Sequence, residues 1–106
     1  MFIYSVTIHI DKSVEKDWLH YMQEKHIGDV LATNYFLSCT IRKDVLHTST
    51  NFTIYNIEYS LKDKQAYLDY QEKEAPRLQA DVKKYFDGKF TAERTFYEVI
   101  LVKNNY

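Results

Sequence analysis

The stretch FIYSVTIHIDKSVEKDWLHYM, residues 2–22, changes its hydrophobic period part-way along. From residue 2 to 10 the pattern alternates. Phe2, Tyr4, Val6, Ile8 and Ile10 point one way, and Ile3, Ser5, Thr7 and His9 the other, as in a half-buried strand. Asp11-Lys12-Ser13 then supplies a turn, with Ser13 placed to cap a helix whose first turn holds Glu15. Beyond it Val14, Trp18, Tyr21 and Met22 recur at helical spacing and make one apolar stripe. Continuing that stripe would bury Lys25, so the regular helix is expected to loosen there. Gly28, with Ile27, Val30 and Leu31, suggests a bend or a second short turn before Thr33-Asn34.

The same two periods organise the rest of the chain. Residues 35–45 read as a strand with Leu37, Cys39, Ile41 and Val45 on one face and Phe36, Ser38, Thr40 and Arg42 on the other. A polar loop at 47–51 leads to a strand at 52–60, where Tyr55, Ile57 and Tyr59 lie opposite Ile54, Asn56 and Glu58. Ser60 to Asp63 resembles a capping box opening a helix through Ala66, Tyr67 and Tyr70. Pro76, the only proline, breaks or restarts that helix. Leu78, Val82 and Tyr85/Phe86 give a further stripe, and Gly88 stands where a helix C-terminal glycine belongs. The last strand is expected at 90–102, with Tyr97, Val99 and Leu101 facing the core and Arg94, Phe96 and Glu98 facing away.

The order β-α-β-β-α-β is the ferredoxin-like arrangement, an α+β sandwich with a four-stranded antiparallel sheet and both helices on one face. A chain of 106 residues is expected to form one such domain over 1–106. Hydrophobic residues at 45% and charged residues at 27% are ordinary for a soluble globular protein. Ten of the seventeen aromatics are tyrosines, which suits cores open to water and interfaces. The formal charge of -1, with both signs interleaved, gives no basic footprint for nucleic acid. The N-terminus has no basic region and too short an apolar run for a signal peptide or a membrane span, so a cytoplasmic location is expected. Cys39, the single cysteine, reads as a buried inert thiol.

Two helices cover one face of such a sheet. The other face is expected to carry His9, Arg42, Asn56, Glu58, Arg94 and Glu98 among apolar residues such as Ile3, Ile54 and Phe96. A solvated surface is one reading of that face. A symmetric homodimer is the favoured one, matching Arg42 or Arg94 of one subunit with Glu58 or Glu98 of the other. A polar ligand chamber across that dimer is a further reading of the same residues.

YSVTIHID, Trp18, EKHIGDVLAT, EAPRL, GKF and ERTFYEV together resemble a small bacterial family common in Bacteroidetes and without known function. It lies within the dimeric α/β-barrel superfamily, where two ferredoxin-like subunits pack sheet to sheet. The resemblance runs over nearly the whole chain, with KHIGDVLAT its most specific part. It implies a fold and a dimer but carries no catalytic residues with it. Gly28 departs from the pattern, which has proline in HIP.

For chemistry, His26 is the first candidate. Within the wider superfamily, cofactor-independent monooxygenases and isomerase-like proteins place a histidine near the end of the first helix beside a cavity. A histidine in that place could act as general base, with a pKa near the working pH. Asp29, three residues on, would orient it if the segment stays helical. The plainer reading has His26 packing the helix end against its dipole. No His pair has metal-binding spacing and two isolated glycines make no phosphate loop, so neither a metal nor a cofactor is expected. The sequence therefore supports a homodimeric binding or structural module, able to take a small-molecule ligand. The alternative is a cofactor-independent enzyme using His26.

Overall fold

The computed structural model describes residues 1–105. Along the chain lie β1 (Phe2–Asp11), a 3-10 turn (Lys12–Val14), α1 (Glu15–Tyr21), a π-helical turn (Met22–His26) and α2 (Ile27–Leu31). They are followed by β2 (Ser38–Lys43), β3 (Phe52–Leu61), α3 (Lys64–Lys73), α4 (Ala75–Phe86) and β4 (Phe90–Glu98). The strands pair in the order β2-β3-β1-β4, every pair antiparallel. This is the ferredoxin-like sheet, with each of the two helical arms subdivided.

Alternation in β1 and β3 decides the core. Tyr4, Val6, Ile8 and Ile10 meet Tyr55, Ile57, Tyr59 and Leu61 under Trp18, Met22 and Val30 of the first arm and Tyr70, Leu78, Val82 and Phe86 of the second. The tyrosine excess is spent here. The Tyr4 ring lies 5.3–6.2 Å from those of Phe36, Tyr59, Tyr67 and Tyr70. Tyr67 stacks on Phe96 at 4.1 Å, and Phe96 on Phe2 at 5.2 Å. Flat rings fill a wide, shallow layer between sheet and helices at low entropic cost, since each holds few rotatable bonds.

The register of β4 reverses the facing expected from its sequence. Tyr4 pairs with Phe96, Val6 with Arg94 and Ile8 with Ala92. Cross-strand partners share a face, so Arg94, Phe96 and Glu98 lie on the helix side and Tyr97 on the open side. The expected facing comes from running the strand on to 102, where Val99 and Leu101 share the parity of Tyr97. Within Phe90–Glu98 the apolar residues Phe90, Ala92 and Phe96 share the other parity, and the pairing with β1 turns that parity to the helices. The strand also ends at Glu98 rather than 102. Val99 still donates its N–H to Met1 O at 2.9 Å, after which Ile100, Leu101 and Val102 are 75–84% exposed.

Strand β2 is shorter than the expected 35–45, for a reason upstream. Asn34 adopts a left-handed φ of 66°, which ends the first helical arm and re-aims the chain. Phe36 consequently turns into the core, while Leu37 is 63% exposed. At the other end the Asp44 carboxylate accepts from the N–H groups of Leu46 and His47, closing a turn that leaves Val45 outside.

Two caps also differ from expectation. Asp11, not Ser13, caps the first arm by accepting from Ser13 N at 2.8 Å, and Asp63 alone caps α3 by accepting from Ala66 N at 2.8 Å. Carboxylates out-compete nearby hydroxyls because the hydrogen bond is charge-assisted. Pro76 sits in the first turn of α4, and Gly88, at φ 76°, follows its end.

Candidate functional site

The site begins with a mismatch of period in the first helical arm. Trp18, Met22, His26 and Val30 recur every four residues. An α-helix of 3.6 residues per turn would rotate each by about 40° from the last, carrying Val30 well off the buried face. The π-helical turn at Met22–His26 absorbs that drift by widening the helix. All four side chains then turn inward, Trp18, Met22 and Val30 being buried and His26 mostly so. Lys25 is thrown outward, where its ammonium binds the Asp29 carboxylate at 2.6 Å. The loosening expected near Lys25 is therefore this turn, and the chain stays helical to Leu31.

Beneath the arm lies a cavity of about 260 Å3 between helices and sheet. Its interior is walled by buried apolar and aromatic residues, among them Tyr4, Ile8, Trp18, Met22, Ile57 and Tyr59. His26 is part of the wall. Exposed members of the lining, Lys83 and Asp87 of the second arm, Gly88 after it and Arg94 of β4, mark its mouth, with Gln79 half-buried beside them.

Three polar features of this region stand out. Burial pushes the His26 imidazole down to about 4, against weaker upward pulls from Asp29 and Asp81, so it is neutral at pH 7. Its ring stacks on that of Tyr21, centroids 6.2 Å apart. The indole N–H of Trp18 and the hydroxyl of Tyr21 are buried without a hydrogen-bond partner. A buried orphan donor costs on the order of 1–3 kcal/mol, which a bound acceptor would recover.

The expected site residues divide between the two faces. His26 faces the cavity, but Asp29 is engaged by Lys25 on the outside and does not orient it. The pKa near neutrality expected for a general base is not what this buried wall gives. Arg94 joins the cavity mouth and leaves the open-face set, and Glu98 likewise lies on the helix side. His9, Arg42, Asn56 and Glu58 stay on the open face. There Arg42 bonds Glu58 of its own chain at 2.9 Å, and the Asn56 amide donates to Ser5 and Thr7. His9 tilts against Phe52 at 5.2 Å.

Sequence reasoning missed Trp18 as a polar donor, and Gln79, Lys83 and Asp87 altogether. Gln79 and Lys83 are spaced i,i+4 along one flank of the Leu78-Val82-Phe86 stripe, a weak signal that they share an edge of the covered face. Cys39 is half-buried rather than buried, and desolvation raises its thiol to about 11, so little of it is thiolate at pH 7. Among the described residues no three His, Cys, Asp or Glu side chains stand close enough to hold a metal ion, and no helix is long and apolar enough to cross a membrane.

Known structures share this architecture. HapK from Hahella chejuensis superposes with a TM-score of 0.71 at 11% identity, over 100% of this chain and 99% of that one. A candidate antibiotic biosynthesis monooxygenase from Bacillus cereus gives 0.68 at 10% identity, over 98% and 97%. A dimeric ferredoxin-like protein from an uncultured marine organism gives 0.67 at 14% identity, over 99% and 100%. At such identities the likeness is one of fold. Among curated proteins none matches the chain by sequence. The family model that does match spans residues 1–100, covering every strand and helix described above, and by it the chain belongs to the family described as a domain of unknown function (DUF4286).

Proposed function

We propose that this protein is a cytoplasmic, homodimeric small-molecule-binding module. The cavity receives a small, largely apolar molecule, and the open sheet face packs against a second subunit. One observation carries the ligand half of this reading. An aromatic-walled cavity contains a neutral imidazole, and the buried Trp18 in its wall has an unpartnered N–H. Together they suit a ligand with an apolar body and a hydrogen-bonding oxygen, its charged or wet end toward Arg94 and Lys83. The dimer half is supported by the solved structures of the same fold described as dimeric.

Trp18 is the only tryptophan, so its emission reports directly on the cavity. A panel of small carbonyl- and hydroxyl-bearing compounds is expected to contain members that change it saturably. Val82→Trp, judged by the ligand-retained mass in native mass spectrometry, is expected to block the same compounds by filling the space. If no compound shifts the emission, and protein from its own cells carries no retained mass, the binding reading is rejected.

The enzyme alternative, monooxygenase- or isomerase-like with His26 as general base, rests on the imidazole facing the cavity. At about 4 its basicity is too low for work near neutrality unless a bound anion raises it. NMR titration of His26 with and without a bound compound separates the two readings. A value that climbs toward 7 on binding favours catalysis, and an unchanged one favours binding alone.

A further inference from the structure

Two of the three arginines are held in ion pairs, Arg42 on Glu58 at 2.9 Å and Arg77 on Glu74 at 2.7 Å. Arg94, the third, lines the mouth of the cavity and makes no ion pair among the described residues. Its place follows from the sheet. Cross-strand pairing sets Arg94 beside the buried Val6 on the covered side, between Ala92 and Phe96. Its charge is felt at His26 of the first helical arm and at Tyr67 and Tyr70 of the second, so it lies where the two arms part over β4. An apolar stem along the covered face with a charged head at the water's edge is a posture that arginine adopts readily.

The charges around the mouth select the ligand's charge. Lys83 and Asp87 share the rim with Arg94, and His26 inside is neutral at pH 7. Two cations and one carboxylate leave one positive charge unanswered, which suits a monoanion. A second negative charge on the ligand would meet Asp87 with no further cation to offset it, so phosphates and dicarboxylates are disfavoured. Among single anions, the planar fork of arginine matches a carboxylate with two parallel N–H donors. Deeper in, a carboxylate would lose its water against buried apolar side chains and meet the fields of Asp29 and Asp81 that act at His26. The charged end belongs at the rim.

The walls select the body. Trp18, Tyr4, Tyr59, Tyr70 and Phe90 supply five rings to a space of about 260 Å3. Rings offer flat faces and edges, which pack a planar molecule by offset or edge-on contacts and fit a puckered one less closely.

We propose that the cavity takes a flat monocarboxylic acid, with a one- or two-ring body among the aromatic walls and its carboxylate on the Arg94 fork at the rim. Lys83 adds a second attraction, and Asp87 turns away ligands of higher charge. This rests on the binding reading above and adds to it the chemical class of the ligand.

The test is calorimetric titration of the full chain with four probes: 2-naphthoate, the uncharged 2-naphthamide, the puckered decalin-2-carboxylate and the doubly charged naphthalene-2,6-dicarboxylate. Naphthoate is expected to bind at least about tenfold more tightly than each of the others. Arg94→Gln, checked for fold by circular dichroism, is expected to remove most of its advantage over the amide while leaving the amide's affinity within about twofold. Arg94→Lys, which keeps the charge and loses the fork, is expected to retain only part of that advantage. Asp87→Asn is expected to tighten the dicarboxylate more than naphthoate. Acid and amide binding alike, or Arg94→Gln weakening both by the same factor, overturns the carboxylate assignment while leaving a binding cavity. A decalin acid that binds as well as naphthoate overturns the flat body. If none of the four binds but a neutral compound of the panel above does, the ligand class is overturned and the binding reading stands. If nothing in either set binds, both fall.

Discussion

The two faces of this sheet use the same strands and reach opposite ends. On the covered face, Tyr4, Val6 and Ile8 of β1 and their partners on β3 sit below rings from both helical arms, and burial alters several of the polar groups admitted there. His26 is driven to about 4, the Tyr59 and Tyr70 hydroxyls are raised far above their ordinary value, and Trp18 holds an unanswered donor. On the open face, one residue along each strand, Arg42 and Glu58 make an ion pair still half in water. The contrast teaches where chemistry and where recognition can reside. Desolvation tunes groups on the covered face, while rows of exposed charge and hydroxyl on the open face have energy to give only to a partner.

The largest expected effect belongs to the covered face. Trp18→Ala removes a fully buried indole that packs on Tyr55 at 5.0 Å, and is expected to cost about 3–5 kcal/mol in urea unfolding. A loss under about 1 kcal/mol would mean that the face is far looser than its ring contacts imply.

Next comes the pH dependence of His26. Its folded value is about 4 against an ordinary 6.5, so between those values the unfolded chain binds more protons. The stabilisation is present in full above pH 6.5 and is lost as pH falls toward 4, by up to roughly 3 kcal/mol. Unfolding measured at pH 7 and pH 4.5 is expected to show this loss in the wild type and a smaller one in His26→Gln. Equal losses in both would take His26 out of the buried wall.

A smaller effect, and of the opposite sign, is expected at Gly28. It lies inside α2 with nothing within 4 Å of where a Cβ would stand. Gly28→Ala should therefore stabilise the protein by about 0.5–1 kcal/mol, read as a raised melting temperature. A destabilised variant would show that the arm flexes at this point in a way the substitution blocks.

The smallest change in fold stability is expected on the open face. Arg42→Ala removes a pair whose side chains are 56% and 34% exposed, and should cost less than about 1 kcal/mol at protein concentrations too low for association. A cost of several kcal/mol in the monomer would mean that the open face holds the fold as the covered one does, and the contrast between them would fail.

Much of this architecture was legible because each element carries its own period. Alternation in β1 and β3 marked both faces correctly, and Pro76 and Gly88 bounded α4 by their backbone constraints alone. The errors fall where the local pattern is degenerate. The apolar run Tyr97, Val99 and Leu101 continues past the end of β4 and outweighs Phe90, Ala92 and Phe96 in the local pattern, so the facing of Arg94, Phe96, Tyr97 and Glu98 is read in reverse. Phe36 and Leu37 are adjacent apolar residues, and the turn at Asn34 determines which goes inside. His26 was marked as the residue to watch, but its separation from Asp29 followed from a widened helical turn that no pairwise spacing announces.

The sequence by itself determined the element order, the class of fold and the core of the central strands, because periodicity and turn chemistry act over a few residues. Tertiary structure alone decided the register of β4, the inward turn of Phe36 and the neutral state of His26. Each depends on what a distant segment presents: a hydrogen-bonding edge already occupied by β1, a ring layer with one vacancy, or a wall that excludes water. Such boundary conditions exist only once the chain has closed on itself.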